Sequence, residues 1–427
     1  YTGNGGENIV ETGFEPAFLL TKSVTATGQW IIWDNKRNPS NRRNSGLFPN
    51  TSSVEYAYPD TASGPGGPAF YANGFSFDNN DSDYNGNGIT YSYLAIAADG
   101  STSTPTLANS FATETYTGNS GTQSITTGFK PGFVWMKGRN YADAPGLFDS
   151  IRGTNFYLAT SLTAAQGGQA SYNTLTSFDN NGFTLGNDVT ERINLSGKTY
   201  VSWSWKAGGI PTINTDGAIT SIVSANQAAG FSIVKWKTST SLATVGHGLG
   251  YSPELIIGKG INWDSSWPVY VLPVGNNKKM SLNAQPGATT STIWGNTTPT
   301  ATTFNQDFTG TANRTSIAYC WRSITGYSKV GSYTGTGNAG QIIPTGFSPS
   351  WVLIKSTVGD DNWRIFDTTR GITSGGILEP NSSASENTSN APGIAMTGTS
   401  FEITSGGVSI GLNANNNLYI YLAIKEN

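Results

Sequence analysis

Three Asp–Arg pairs, each spanning three positions, are the residues best equipped for chemistry in this chain: Asp34/Arg37, Asp149/Arg152 and Asp367/Arg370. A carboxylate held beside a guanidinium can accept hydrogen bonds from sugar hydroxyls or serve as the acid of a glycosidase. The same pair can instead pin a turn behind an apolar strand, as in Leu147-Phe148-Asp149 and Ile365-Phe366-Asp367. Its repetition favours the structural role, and no catalytic residue is assigned from it. Leu272 and Gly275 are the expected counterparts in a further copy that lacks the pair. Asp81-Ser82-Asp83-Tyr84-Asn85-Gly86 has oxygen side chains at positions one, three and five and glycine at six, like the first half of a calcium loop. Position twelve is Ser92 rather than Glu. Asp81, Asp83 and Asn85 therefore form either an incomplete calcium site, the one cofactor in view, or a plain polar hairpin loop. Gly407-Val408-Ser409-Ile410-Gly411 matches a nucleophile elbow, but a strand-like segment follows where that motif needs a helix. The one histidine, His247, belongs to a different part of the chain. An enzyme is not expected.

Aromatic residues make up 12% of the chain, and most fall in strand-like runs that read as core. Trp263, Trp267, Tyr141 and Trp363 instead sit in turn-like settings beside Asn and Asp. Ring faces next to amide and carboxylate groups suit a sugar, which offers both C–H faces and hydroxyls, and they suit a protein partner equally well. Both readings stay open.

These residues are positioned by a unit that recurs four times. Gly13-Phe14-Glu15-Pro16, Gly128-Phe129-Lys130-Pro131, Gly250-Tyr251-Ser252-Pro253 and Gly346-Phe347-Ser348-Pro349 each precede an apolar run, and each run ends in a lysine six positions after the proline. Those lysines are Lys22, Lys137, Lys259 and Lys355, expected to be solvated strand ends. Tyr-Thr-Gly opens three copies, at Tyr1, Tyr116 and Tyr333, and Val234-Lys235-Trp236 takes its place in the third. Each copy closes on an aromatic-rich strand, and Tyr200–Trp205 alternates as a half-buried strand does. No helical stripe of ten residues appears, although Leu162-Thr163-Ala164-Ala165-Gln166 has the composition of a single turn. The expected fold is all-β, four tandem antiparallel β-sandwich repeats of about 100 residues each. Their expected limits are 1–98 (with an insertion near 39–67), 116–208, 217–325 (the most diverged) and 333–427.

Charged residues are 12% of the chain and the formal net charge is −3, which leaves no basic field for nucleic acid. No apolar run reaches the roughly 18 residues of a membrane span. The single cysteine, Cys320, lies in an apolar strand and reads as core. The sequence begins at Tyr1 without Met or a signal-peptide pattern, as a processed chain or part of a longer one does.

The elements Tyr116–Asn119, Thr127–Pro131, Phe133–Lys137, Phe148–Gly153 and Tyr200–Gly209, with Gly326–Gly335 and Tyr419–Asn427, are similar to tandem repeats in virion proteins of marine bacteriophages. The resemblance implies a lectin-like sandwich fold in a tail-fibre, tail-associated or head-decorating protein, and it carries no catalytic residues. On that basis the expected function is non-enzymatic. The chain would be exposed on the virion surface, outside the cell, binding host-surface polysaccharide through loop aromatics and forming homo-oligomers with other virion proteins around it. Two alternatives stand beside this: a decoration protein contacting other virion subunits, and a polysaccharide depolymerase using the Asp–Arg pairs.

Overall fold

The computed structural model of the chain describes residues 1–59, 66–98, 105–168, 170–308, 314–371, 376–388 and 393–426. The middle of the expected insertion, 60–65, lies outside them. The described chain is nearly all β, in several antiparallel sheets. The glycine of each signature shows why the signature recurs. Gly13, Gly128, Gly250 and Gly346 have φ of +79°, +85°, +71° and +88°, a left-handed conformation that disfavours any side chain. In three copies the preceding threonine (Thr12, Thr127, Thr345) donates its hydroxyl to the carbonyl of the following Phe and closes the turn.

The chain divides into two compact units: residues 1–104 with 210–213, and residues 105–209 with 214–427. In the first unit, Pro16–Ser23 lies between Trp30–Asp34 and Tyr91–Ala97, and a second sheet orders Asn8–Glu11, Gly74–Phe77 and Ala69–Tyr71. Leu19, Ile31 and Trp33 of one sheet and Phe70, Phe75 and Phe77 of the other share one buried cluster with Tyr58 and Tyr84.

In the second unit the same pairing recurs with the same register. Phe133–Gly138 pairs with Thr199–Trp205 and Gly146–Asp149, Leu255–Gly260 with Thr315–Trp321 and Pro268–Val271, and Trp351–Ser356 with Leu418–Ile424 and Arg364–Asp367. A leading strand flanks each closing strand: Phe111–Thr117, Phe231–Lys237 and Ser328–Thr334. Trp236 opposes Ser316 as Tyr116 opposes Tyr200, so the third copy's substitute for Tyr-Thr-Gly is in register. The register also corrects one expected equivalence. Asp149 and Asp367 pair with Phe133 and Trp351, and the residue paired with Leu255 is Val271. The third copy therefore has Val271 and Val274 where the others have Asp and Arg, not Leu272 and Gly275.

Two further expectations change. Thr199–Trp205 is buried on both faces rather than half-buried, because its outer face meets other copies. Phe111, Phe133 and Trp205 from the second copy, Phe231 and Trp321 from the third and Trp351 from the fourth form one continuous aromatic cluster with ring centroids 4.7–6.3 Å apart. Leu162–Gln166 forms no helical turn and is an extended loop. The α-helix among the described residues is the short Ser405–Ser409, capped by the hydroxyl of Thr404. It overlaps the start of Gly407–Gly411, the next element is the strand Leu418–Ile424, and Ser409 Oγ donates to the Ser405 carbonyl.

Trp205 is the most connected ring of the shared cluster, so Trp205→Ala should destabilise the second unit by about 3–5 kcal/mol, the usual cost of a buried Trp truncation. Urea unfolding followed by intrinsic fluorescence measures the loss.

Candidate functional site

Burial, not exposure, is the fate of most residues with chemical capability. Each Asp–Arg pair has one template. Arg152 Nε donates to Asp149 Oδ2 at 2.5 Å, its backbone N–H to Asp149 Oδ1 at 2.9 Å, and its Nη2 to the Leu147 carbonyl at 2.9 Å. Arg370 makes the same three bonds to Asp367 and Ile365, and Arg37 to Asp34 and Ile32. The remaining nitrogen grips a distant loop residue: Gln166 for Arg152, Glu386 for Arg370 and Glu55 for Arg37. The second and fourth pairs are sealed from solvent. Each also receives a donor from another copy: Tyr319 Oη to Asp149 Oδ2 at 2.8 Å, and Trp203 Nε1 to Asp367 Oδ2 at 3.0 Å. Burial, with the Asp149 charge beside it, pushes the Tyr319 phenol well up, so it remains a donor. These pairs brace the strand-end turn, the second and fourth sealed from solvent and the first, Asp34/Arg37, partly exposed.

The aligned lysines are the residues that the sequence reading missed. Lys137, Lys259 and Lys355 are buried, not solvated. Each ammonium reaches a main-chain carbonyl of another copy: Lys137 that of Ser382 (2.9 Å), Lys259 that of Thr163 (2.8 Å) and Lys355 that of Gln285 (2.7 Å). Two positions on, a backbone bond repeats the pattern, from Glu386 N–H to Arg139 O, Gln166 N–H to Ile261 O and Ala288 N–H to Thr357 O, at 2.7–2.9 Å. The second copy's loop thus docks on the third, the third's on the fourth and the fourth's on the second. The three contacts are head to tail and close on themselves. Desolvation pushes the three ammonium groups down to about 8, partly opposed by nearby carboxylates.

The four aromatic candidates fall into two classes at fixed offsets from these lysines. Trp267 and Trp363, eight positions on, are fully buried. Their indoles donate to carbonyls of the neighbouring copy, Leu162 and Ser281, at 3.0 Å each. A ring so enclosed offers no face to a sugar. Tyr141 and Trp263, four positions on, are half-buried and lie over Gly138 and Gly260, where a Cβ would clash. Lys198 stands over one ring and Arg314 over the other.

Asn85 is also structural. Its amide oxygen accepts from Asn4 N–H (3.3 Å) and Asn8 Nδ2 (3.0 Å), and its amide nitrogen donates to the Gly6 and Asn79 carbonyls. Asn194 and Asn413, each six residues before a closing-strand tyrosine, clamp their own leading loops in the same way. Asp81 Oδ1 accepts the Asp83 N–H in a local turn. Both ends of the Asn85 amide are thus engaged, and no group of three or more His, Cys, Asp or Glu residues able to hold a metal occurs among the described residues. His247 is buried, its ring bonded to the Thr300 carbonyl and the Leu249 N–H.

A family model described as a domain of unknown function, DUF7483, matches residues 1–99 and 107–427. Neither the curated proteins nor the solved structures yield a match.

Two measurements probe the site. Because the buried lysines hold their protons less tightly than the unfolded chain does, unfolding takes up protons above about pH 8. Stability of the second unit should therefore rise from pH 7.5 to 9.5, below the range in which unfolding would ionise the buried tyrosines. A flat urea midpoint over that interval would contradict the placement. Asp149→Asn should cost about 3–5 kcal/mol, since Arg152 then stays buried without its counter-ion; denaturant titration at pH 7 reads this directly.

Proposed function

Starting from a chain that belongs to the DUF7483 family over nearly its whole length, we propose that it is a non-enzymatic structural protein of a bacteriophage particle, built of four tandem lectin-like β-sandwich repeats and working by assembly with other subunits. One observation carries the proposal: the carboxylates, guanidiniums, ammoniums and indoles that could act on a ligand are spent on joining copies of the unit to one another. Catalysis needs such groups directed at a reacting atom, whereas the Asp carboxylates accept from Arg Nε and backbone N–H groups and the guanidiniums donate to main-chain carbonyls. The resemblance of the repeat elements to marine phage virion proteins supplies the particle. It also supplies the place, on the outer surface of the virion.

Among the roles open to such a protein, contact with other virion subunits has more support than glycan attachment. Of the four aromatics open to glycan attachment, Trp267 and Trp363 are enclosed, which leaves the half-buried Tyr141 and Trp263. Depolymerase action through Asp149 or Asp367 would require carboxylates reachable by polysaccharide, and both are enclosed.

An antibody raised against the chain should decorate intact particles of the phage that encodes it in immunogold electron microscopy. Incubation of the protein with host polysaccharide should release no reducing ends. Release that Asp149→Asn or Asp367→Asn abolishes, in a variant still folded by circular dichroism, would replace this reading with the depolymerase one.

A further inference from the structure

The first copy carries both halves of the contact that closes the other three into a cycle, and most residues of both halves are exposed. Its closing strand ends Leu94-Ala95-Ile96, the same three residues as Leu422-Ala423-Ile424 in the fourth copy. Register makes them equivalent: Phe18 pairs with Ile96 as Trp351 pairs with Ile424, and Leu20 with Leu94 as Leu353 with Leu422. Leu422 and Ile424 are 2% and 1% exposed, whereas Leu94 and Ile96 are 54% and 52% exposed.

The polar parts match one by one. Lys22 stands where Lys137, Lys259 and Lys355 reach a neighbour, yet among the described residues its bonds go to its own Ser23. Trp30, eight positions on, corresponds to Trp267 and Trp363. In all three the backbone N–H donates to an asparagine side chain, Asn50, Asn283 or Asn381. Trp30 is 41% exposed where the other two are sealed. Leu47-Phe48-Pro49-Asn50-Thr51 repeats Leu378-Glu379-Pro380-Asn381-Ser382, the loop whose last carbonyl holds Lys137, and Thr51 is exposed. Val24 occupies the position of Arg139, Ile261 and Thr357, and Glu55, held by Arg37, that of Glu386, held by Arg370. Both Val24 and Glu55 are exposed.

We infer that the first copies of three chains assemble head to tail into a second closed cycle, so that the protein is a homotrimer. In it, Lys22 and Trp30 of one chain meet the Asn50–Glu55 loop of the next, around a centre of Leu94 and Ile96. A head-to-tail contact whose rotation closes at three within one chain closes at three between chains as well. Leu94 offers no donor to the neighbouring Asp34, whose carboxylate already accepts from the Lys36 and Arg37 backbone N–H groups and from Arg37 Nε. The inference rests on the four-repeat reading and is independent of the phage assignment.

Light scattering of the full chain should give about 135 kDa, three times its 45.1 kDa mass. The double variant Leu94→Asp/Ile96→Asp should fall to one third of that, and Lys22→Met should shift the trimer to dissociate at higher protein concentration. Wild-type protein that stays at 45 kDa over a wide concentration range, or forms a dimer, overturns the inference. So does a trimer that neither variant weakens. Resistance of Lys137, Lys259 and Lys355 to amine labelling in the same samples separates the two readings. Labelling resistance in a monomeric chain overturns the trimer alone, whereas loss of resistance overturns the repeat reading with it.

Discussion

Three ammonium groups taken out of water set the terms for the second unit. A buried lysine is tolerable only if oxygen atoms replace its hydration, and the apolar run that ends in each lysine cannot supply them. For Lys137, Lys259 and Lys355 a loop of another copy brings a carbonyl to within 2.7–2.9 Å. The neighbour's carbonyl adds to oxygens of the same copy, Asp143 for Lys137 and Ser265 for Lys259, so each copy completes its strand end by accepting a neighbour. Because the three contacts run in one direction and return to their origin, each of these three copies both gives and receives one. That arrangement is the observation on which the proposed assembly role rests.

The apolar side of the contact obeys the same logic. Where the second and fourth copies place Asp149 and Asp367, a hydrogen-bond donor arrives from the next copy, Tyr319 or Trp203. Where the third copy places Val271, the closing-strand position of the donor is Leu422, and both are buried. Polar meets polar and apolar meets apolar, which avoids the cost of an unpaired buried carboxylate. The aromatic cluster from Phe111 to Trp351 fills the space between, where ring pairs add about 0.5–1.5 kcal/mol each beyond their burial.

Much of this was legible in the sequence, and the part that was not has a common cause. The strands, the signature turns and the Asp–Arg pairs depend on local spacing, so period-two alternation, glycine at positive φ and an i,i+3 pair reveal them. The lysines were legible as a repeated position but not as buried groups, because a strand-end lysine is ordinarily solvated and its oxygen partners lie between about 70 and 245 positions away. Trp267 and Trp363 look like turn aromatics for the same reason: the loops that cover them belong to other copies. The fixed offsets of four and eight positions from the lysine were a signal available in the sequence, as was asparagine six residues before the closing tyrosine. The Val271 equivalence was missed by one residue because Val271 and Leu272 are both apolar, and only pairing with Leu255 separates them.

Residue-resolved amine labelling of the intact chain, read by mass spectrometry, tests the central claim most directly. Lys137, Lys259 and Lys355 should stay unmodified at pH 8 while the exposed Lys36 and Lys278 react fully. Modification of those three at the rate of Lys36 would mean that their ammonium groups face water, and that the closed cycle of contacts is not what holds the second unit together.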